Sequence, residues 1–303
     1  MRAIFTRTLV SHAQESDFVF LTGDLGFMVL EPLRDVAKDR FINAGIAEQN
    51  MVSVAAGLAR AGYKPWVYSI APFVYARAFE QIRNDVCLHD LPVFLVGNGG
   101  GYAYGVMGPT HHAIEDYGAL LGLPNLTVYV PAFAADVPPA IARLMTAARP
   151  AYLRLGRDEK PKDFVVPPYA PWRRILPGPG ATVLMVGPLA GGILAAAQTL
   201  PESQRPSLWV LCELPIVATE IPAAFLAGLE QNGHLIVVEE HVAQGSAGAA
   251  LAHALLLAQT TPRRFTHRFA RGYPTGRYGS QLYHRQESGL DPSSILRLLG
   301  NHP

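Results

Sequence analysis

The sequence predicts an α/β protein built as two doubly wound domains, and three observations carry that prediction. Short apolar, β-branched runs alternate with alanine-rich stretches of helical length along the chain, the pattern of parallel sheets covered on both faces. A proline-rich stretch breaks the alternation once. Half of the 303 residues are apolar and 16% are charged, which suffices for two packed cores and excludes a disordered chain.

The elements follow in order. Residues 18–21, 66–68, 93–96 and 126–130 read as buried strands of the first half, and 183–186, 208–211 and 235–238 as those of the second. The stretches 44–61, 136–148, 190–200 and 246–259 have helical length and fall between them. From Lys160 to Gly180 the prolines support neither helix nor central strand. Domains are therefore expected at 1–162 and 180–303, with a linker at 163–179.

Charge excludes several partners. With 25 basic against 24 acidic side chains, nothing points to nucleic acid or to an anionic membrane surface. Cys87 and Cys212 are far apart in apolar strings, which predicts buried free thiols rather than a disulfide framework or a zinc site. The N-terminus has no signal-peptide core, and no apolar run approaches the length of a membrane span. A cytoplasmic protein is expected.

Two segments are candidates for chemistry. Asn43 to Arg60 reads as a helix with Asn43 as N-cap. Gln49, Ser53 and Arg60 share one side, whereas Glu48 shares its side with Val52, Ala55 and Ala59. Two readings stand: a Glu solvated at the helix edge and favoured by the dipole, or a carboxylate held among apolar atoms with its pKa raised, suited to sharing a proton with a basic heterocycle. The second segment runs from Gly97-Asn98-Gly99-Gly100-Gly101-Tyr102 through Gly105 and Gly108 to Pro109-Thr110-His111-His112, directly after a strand. It matches neither GxGxxG nor a P-loop. His111 and His112 are candidates for acid/base or oxyanion roles, with a purely structural role as the alternative.

Taken together, Asn43-Ala44-Gly45-Ile46-Ala47-Glu48-Gln49-Asn50, Ala78-Phe79-Glu80-Gln81-Ile82-Arg83, Gly108-Pro109-Thr110-His111 and Pro124-Asn125-Leu126-Thr127-Val128 resemble the pyrimidine-binding domain of transketolases. Ile175-Leu176-Pro177-Gly178 and Val237-Val238-Glu239-Glu240-His241 are similar to stretches of the transketolase C-terminal domain. The resemblance implies a thiamine-diphosphate pyrimidine-binding domain followed by a transketolase C-terminal-like domain. It makes Glu48 the residue that bonds N1′ of the aminopyrimidine, favouring the imino form that removes the C2 proton of the thiazolium. Phe73 resembles the ring that stacks on the aminopyrimidine, with Tyr68 and Tyr75 as alternatives, and Asp24 and Leu25 resemble a stretch lining the cofactor. His111 is implied as a substrate or intermediate contact, and Arg157 as a sugar-phosphate contact that Arg2 seconds. His112 is a further substrate candidate, and Arg77 is either substrate-facing or a surface charge.

Transketolases hold the diphosphate and its metal through a Gly-Asp-Gly motif, and this sequence contains none. The resemblance therefore implies that Mg²⁺ or Ca²⁺ is held by a second, N-terminal subunit, with two copies of each chain in a heterotetramer. Gly99, Met107 and Met28 stand where the family carries sugar-binding and phosphate-binding side chains. A site with Met28, Met107, Tyr102 and Tyr104 favours a less hydroxylated substrate, pyruvate being one candidate donor. The activity implied is transfer of a two-carbon ketol or acyl unit from a ketose or 2-oxoacid to a small-molecule or carrier-bound acceptor. The alternatives are the β subunit of a 2-oxoacid dehydrogenase E1 component and a non-catalytic scaffold subunit. Finally, Arg263, Arg264, Arg268, Arg271, Arg277 and Arg285 accumulate in a stretch, 241–286, that lacks Asp and Glu. This predicts a basic face, either solvated or docking an acidic carrier.

Overall fold

The computed structural model describes residues 1–300, so the last three residues of the 180–303 segment lie outside the described residues. Among the described residues twelve strands form two sheets. In chain order they are β1 (Phe18–Thr22), β2 (Phe41–Asn43), β3 (Lys64–Ile70), β4 (Phe94–Asn98), β5 (Thr127–Tyr129), β6 (Ala151–Leu155), β7 (Trp172–Leu176), β8 (Thr182–Val186), β9 (Ser207–Leu211), β10 (Glu213–Leu214), β11 (His234–Glu239) and β12 (Arg264–Arg268). The helices are α1 (Arg2–His12), α2 (Glu31–Ala37), α3 (Glu48–Arg60), α4 (Ala71–Tyr75), α5 (Phe79–Gln81), α6 (Asp116–Leu120), α7 (Val137–Thr146), α8 (Ala190–Gln198), α9 (Ala223–Asn232), α10 (Ala247–Leu257), α11 (Gln281–Ser288) and α12 (Pro292–Gly300).

The larger sheet has the order β10-β5-β6-β4-β3-β1-β2 and is parallel except for β10; the smaller has the order β12-β11-β8-β9-β7 and is parallel except for β7. Both are doubly wound, because alternate residues of the central strands bury in opposite directions. Phe18, Phe20, Trp66 and Tyr68 pack under α1, α2 and α7, whereas Val19, Leu21 and Val67 join Met51 and Val52 of α3. In the smaller sheet Val183, Met185, Leu208 and Val210 pack under α8 and α12. Their neighbours Leu184, Trp209 and Leu211 belong to the same apolar cluster as α3. One continuous core thus links the two sheets.

Three features differ from expectation. The helix predicted from Asn43 begins at Glu48: Gly45 takes a positive φ of 71°, and the Asn43 side chain accepts from Gly45 N (2.9 Å), tightening a turn instead of capping a helix. Within the proline-rich stretch, Trp172–Leu176 forms an edge strand, antiparallel to β9. Prolines flank it without interrupting it, and an edge position tolerates them. Lastly, β10 leaves the second half of the chain and pairs with β5 of the larger sheet. Both cysteines are free and buried, as expected.

Candidate active site

Parallel strands deliver their following loops to one sheet edge, where open α/β sheets bind ligands. At the carboxyl ends of β1, β2, β3 and β4 lie Asp24, the turn into α3, α4 and the glycine-rich loop. Glu48 opens α3, one turn ahead of the buried Met51, Val52 and Ala55, and its side chain is only 2% exposed. Its surroundings are not apolar throughout, contrary to expectation. Ser69 Oγ, at the end of β3, donates to Glu48 Oε1 (3.1 Å), and Arg77 Nη1 donates to Oε2 (2.6 Å).

Arg77 also lies over the Phe73 ring, 4.3 Å from Cζ to the centroid. Phe73 also contacts His111, edge-on at 5.3 Å, and Tyr104 lies 5.7 Å from His111. Thr110 Oγ1 and His111 Nδ1 are 2.9 Å apart, while Asn98 Nδ2 fixes Tyr104 by donating to its hydroxyl (2.7 Å). Glu48, Ser69, Phe73, Arg77, Tyr104 and His111 are therefore one constellation, drawn from four segments that only the fold assembles. Asp24 is exposed at its edge and accepts from Asn43 Nδ2 (3.1 Å), and Leu25 beside it is half-buried. Phe27, Met28 (93% exposed), Ile46, Val106 and Met107, on the loops and turn that follow β1, β2 and β4, are exposed.

Other predicted residues lie elsewhere. Tyr68 is core: its strand neighbour Ser69 faces Glu48, so Tyr68 turns to the opposite face and stacks on Phe5 at 5.8 Å. Tyr75 is buried and donates to Glu115 Oε2 (3.4 Å). His112 turns away from His111, with Nδ1 on Tyr273 Oη and Nε2 on Gly105 O, both at 2.8 Å. Both ring nitrogens are thus satisfied within the chain, and burial holds its pKa below the usual histidine range. Tyr102, expected in the site, is fully buried and stacks on His284 at 4.9 Å. Arg157 is exposed just beyond β6. Arg77 lies within the constellation, 40% exposed and paired with Glu48, rather than as an isolated surface charge. Ser69 and the pairing of Arg77 escape sequence reading; strand alternation from Tyr68 was the one signal that bore on Ser69.

The glycine-rich loop is shaped by packing rather than by a phosphate. A Cβ on Gly100 would meet Arg154 Nε at 2.5 Å, and one on Gly101 would meet Glu240 Oε2 at 2.6 Å. Arg154 is itself buried, donating to Asp116 Oδ2 (2.8 Å), Ala113 O (2.7 Å) and Glu240 O (3.0 Å). This network fastens the loop carrying His111 to the second half of the chain. Among the described residues no group of three or more His, Cys, Asp and Glu is placed to hold a metal ion, and no helix is long and apolar enough to cross a membrane.

Residues 1–162 match the pyrimidine-binding domain of transketolase. The chain belongs to the transketolase family. It is 32% identical over 265 residues to a subunit of the apulose-4-phosphate transketolase of Phocaeicola vulgatus, covering 84% of this chain and 83% of that one. It is 35% identical over 266 residues to 1-deoxy-D-xylulose-5-phosphate synthase 2 of Geobacter sulfurreducens, 84% of this chain but 41% of the synthase. Among solved structures, a split-gene transketolase described as an inactive β4 tetramer superposes with a TM-score of 0.81 at 28% identity, covering 99% of this chain and 96% of that one. The transketolase of Campylobacter jejuni shares the fold at a TM-score of 0.76 and 18% identity, and the match covers 46% of that longer chain. Within the transketolase family, the chain is thus the counterpart of a C-terminal half.

Proposed function

We propose that this chain carries the aminopyrimidine-binding half of a two-component, thiamine-diphosphate-dependent transferase that moves a two-carbon ketol or acyl unit. It is the C-terminal subunit of a transketolase-like enzyme, with 1–162 as pyrimidine-binding domain, 163–179 as a connecting segment that also supplies the edge strand β7 of the smaller sheet, and 180–303 as C-terminal-like domain. The observation that carries the reading is the buried Glu48 carboxylate, bonded by Ser69 and linked through Arg77 to the Phe73 ring and thence to His111, at the carboxyl edge of a parallel sheet.

The residues present fit one end of the cofactor. A buried carboxylate next to an aromatic face suits a protonatable, planar aminopyrimidine, whereas the diphosphate and its Mg²⁺ fall to an N-terminal partner subunit. When bound, thiamine diphosphate supplies the nucleophilic carbon. Glu48 holds and returns a proton at the ring nitrogen N1′ through one carboxylate oxygen, while Ser69 fixes the other. Phe73 offers the stacking face, Asp24 and Leu25 line the approach, and His111 moves a proton at the substrate oxygen or stabilises its developing charge. Arg157, exposed at the same sheet edge, contacts an anionic substrate group.

The exposed apolar side chains Phe27, Met28, Ile46, Val106 and Met107 are what a partner subunit would cover. Met28 and Met107 also favour a donor or acceptor with few hydroxyls. The relatives support this assembly: one is named as a single subunit of its transketolase, and another, as a β4 tetramer, is inactive. By analogy the chain alone forms an inactive oligomer, and two copies with two partners form the working cytoplasmic enzyme.

Native co-purification followed by a cofactor assay tests the reading. A stoichiometric partner bearing the Gly-Asp-Gly motif, with bound thiamine diphosphate, is expected. In the reconstituted complex Glu48→Gln should lower turnover by about 10²–10⁴-fold, and a variant with full turnover rules out the role of Glu48.

A further inference from the structure

The fold takes apart the basic run expected between His241 and Gln286. Arg285 is buried and paired with both Glu240 and Glu159, so it adds nothing to a surface. Arg263 donates to Asn232 O (3.3 Å). Arg268 and Arg271 converge instead, with Arg297 of α12, on an open cleft of about 590 Å³ at the carboxyl end of β12. Its lining shares no residue with the Glu48 constellation.

Charge and shape in this cleft are unbalanced in one direction. Among the described residues Arg268 and Arg271 form no ion pair, and Arg297 Nη2 donates only to Ser294 Oγ (2.7 Å). Glu287 is the one carboxylate of the lining, against three arginines, Arg268, Arg271 and Arg297. Phe269 and Leu298 add an apolar wall. His267 is set by its Nε2 contact to Glu239 Oε1 (2.7 Å) and packs on the Phe269 ring at 5.0 Å.

We propose that this cleft binds a phosphorylated small molecule of nucleotide or sugar-phosphate size. Guanidinium forks match phosphate oxygens, and the two positive charges left after Glu287 match a phosphomonoester of about −1.5 to −2. The volume lies in the range of small-molecule sites, and the carboxyl end of a parallel strand is where such sites form. The apolar wall favours a carbon skeleton over inorganic phosphate. Concavity favours a small molecule over an acidic protein domain, which would need the same charges on an open face.

Calorimetric titration of the full chain with AMP, glucose 6-phosphate and inorganic phosphate tests this. One organic phosphate should bind at least about tenfold more tightly than inorganic phosphate, a difference of ~1.4 kcal/mol, with affinity falling as salt rises. Which of the two binds identifies the source. The double variant Arg268→Gln/Arg297→Gln should weaken that binding about tenfold or more, with unchanged melting temperature and unchanged thiamine diphosphate binding in the reconstituted enzyme. Binding that survives the double substitution, or the absence of arginine-dependent binding by all three probes, overturns the proposal. Arginine-dependent capture of polyglutamate without binding of the phosphates overturns it in favour of protein docking.

Discussion

Arg77 makes both contacts that an aminopyrimidine would need. Its Nη1 holds Glu48 Oε2 at 2.6 Å, and its guanidinium covers the Phe73 ring at 4.3 Å. On the proposed reading the two occupants compete, and cofactor binding displaces the guanidinium. A hydrogen bond to a charged group is worth about 1.5–3 kcal/mol and a partly exposed cation–π contact about 0.5–1. Arg77 is 40% exposed, and solvent recovers part of both terms, leaving about 1–2 kcal/mol of competition. Arg77→Ala should therefore bind thiamine diphosphate about 5–30-fold more tightly in the reconstituted complex. The same substitution strands a buried carboxylate, so the urea midpoint of the chain should fall. Fluorescence titration of the cofactor reads the first effect and chemical denaturation the second. Weaker cofactor binding in Arg77→Ala, with the variant still folded, refutes the competition and makes Arg77 a holding residue; Arg77→Lys, which keeps the charge and loses the planar stack, should fall between.

The remaining predictions concern the frame around the site. Burial holds His112, His241 and His284 below the usual histidine range. The unfolded chain takes up those protons near pH 6.5 and the folded chain only at lower pH, so stability is full above about pH 6.5 and declines as pH drops through it. Urea midpoints at about pH 8 and about pH 5.5 measure the decline, which should shrink in His112→Asn; a midpoint that rises on acidification contradicts the assignment. Burial pushes the thiols of Cys87 and Cys212 up to about 12, so both should resist thiol reagents until the chain unfolds; rapid labelling of the native chain would show one of them to be accessible. Gly101 has a φ of +65° and no room before Glu240. Gly101→Ala should cost about 1–2 kcal/mol from the backbone alone, visible as a lower melting temperature, and should reduce turnover by shifting the loop that carries His111.

Periodicity made the central strands legible because each is an apolar run buried on both faces. The strands that escaped have other compositions. β6 carries Arg154, a charge that is tolerable in a central strand only because Asp116 and two carbonyls wait for it. β7 hides among prolines, and β10 has two residues, held by pairing with a strand about 85 positions earlier. Within the site, Glu48, Phe73 and His111 were found through motif and resemblance. The pairing of Arg77 with Glu48 escaped, since nothing local links it to a carboxylate 29 positions away.

The amino-acid order by itself determined the alternation of strands and helices, the apolar stripe that buries Glu48, the burial of both cysteines and the family to which the motifs belong. These are properties of periods of two and 3.6 residues and of short fixed spacings, and they survive without knowledge of any distant contact. Tertiary structure alone decided that neighbouring His111 and His112 face different environments, that Tyr68 turns from the site while Ser69 turns toward it, and that Arg285 is buried while Arg268 and Arg271 reach a cleft. Each outcome depends on which face of a strand or loop meets which remote partner, and a side chain's charge, burial and reach are fixed by that meeting rather than by its neighbours in the chain.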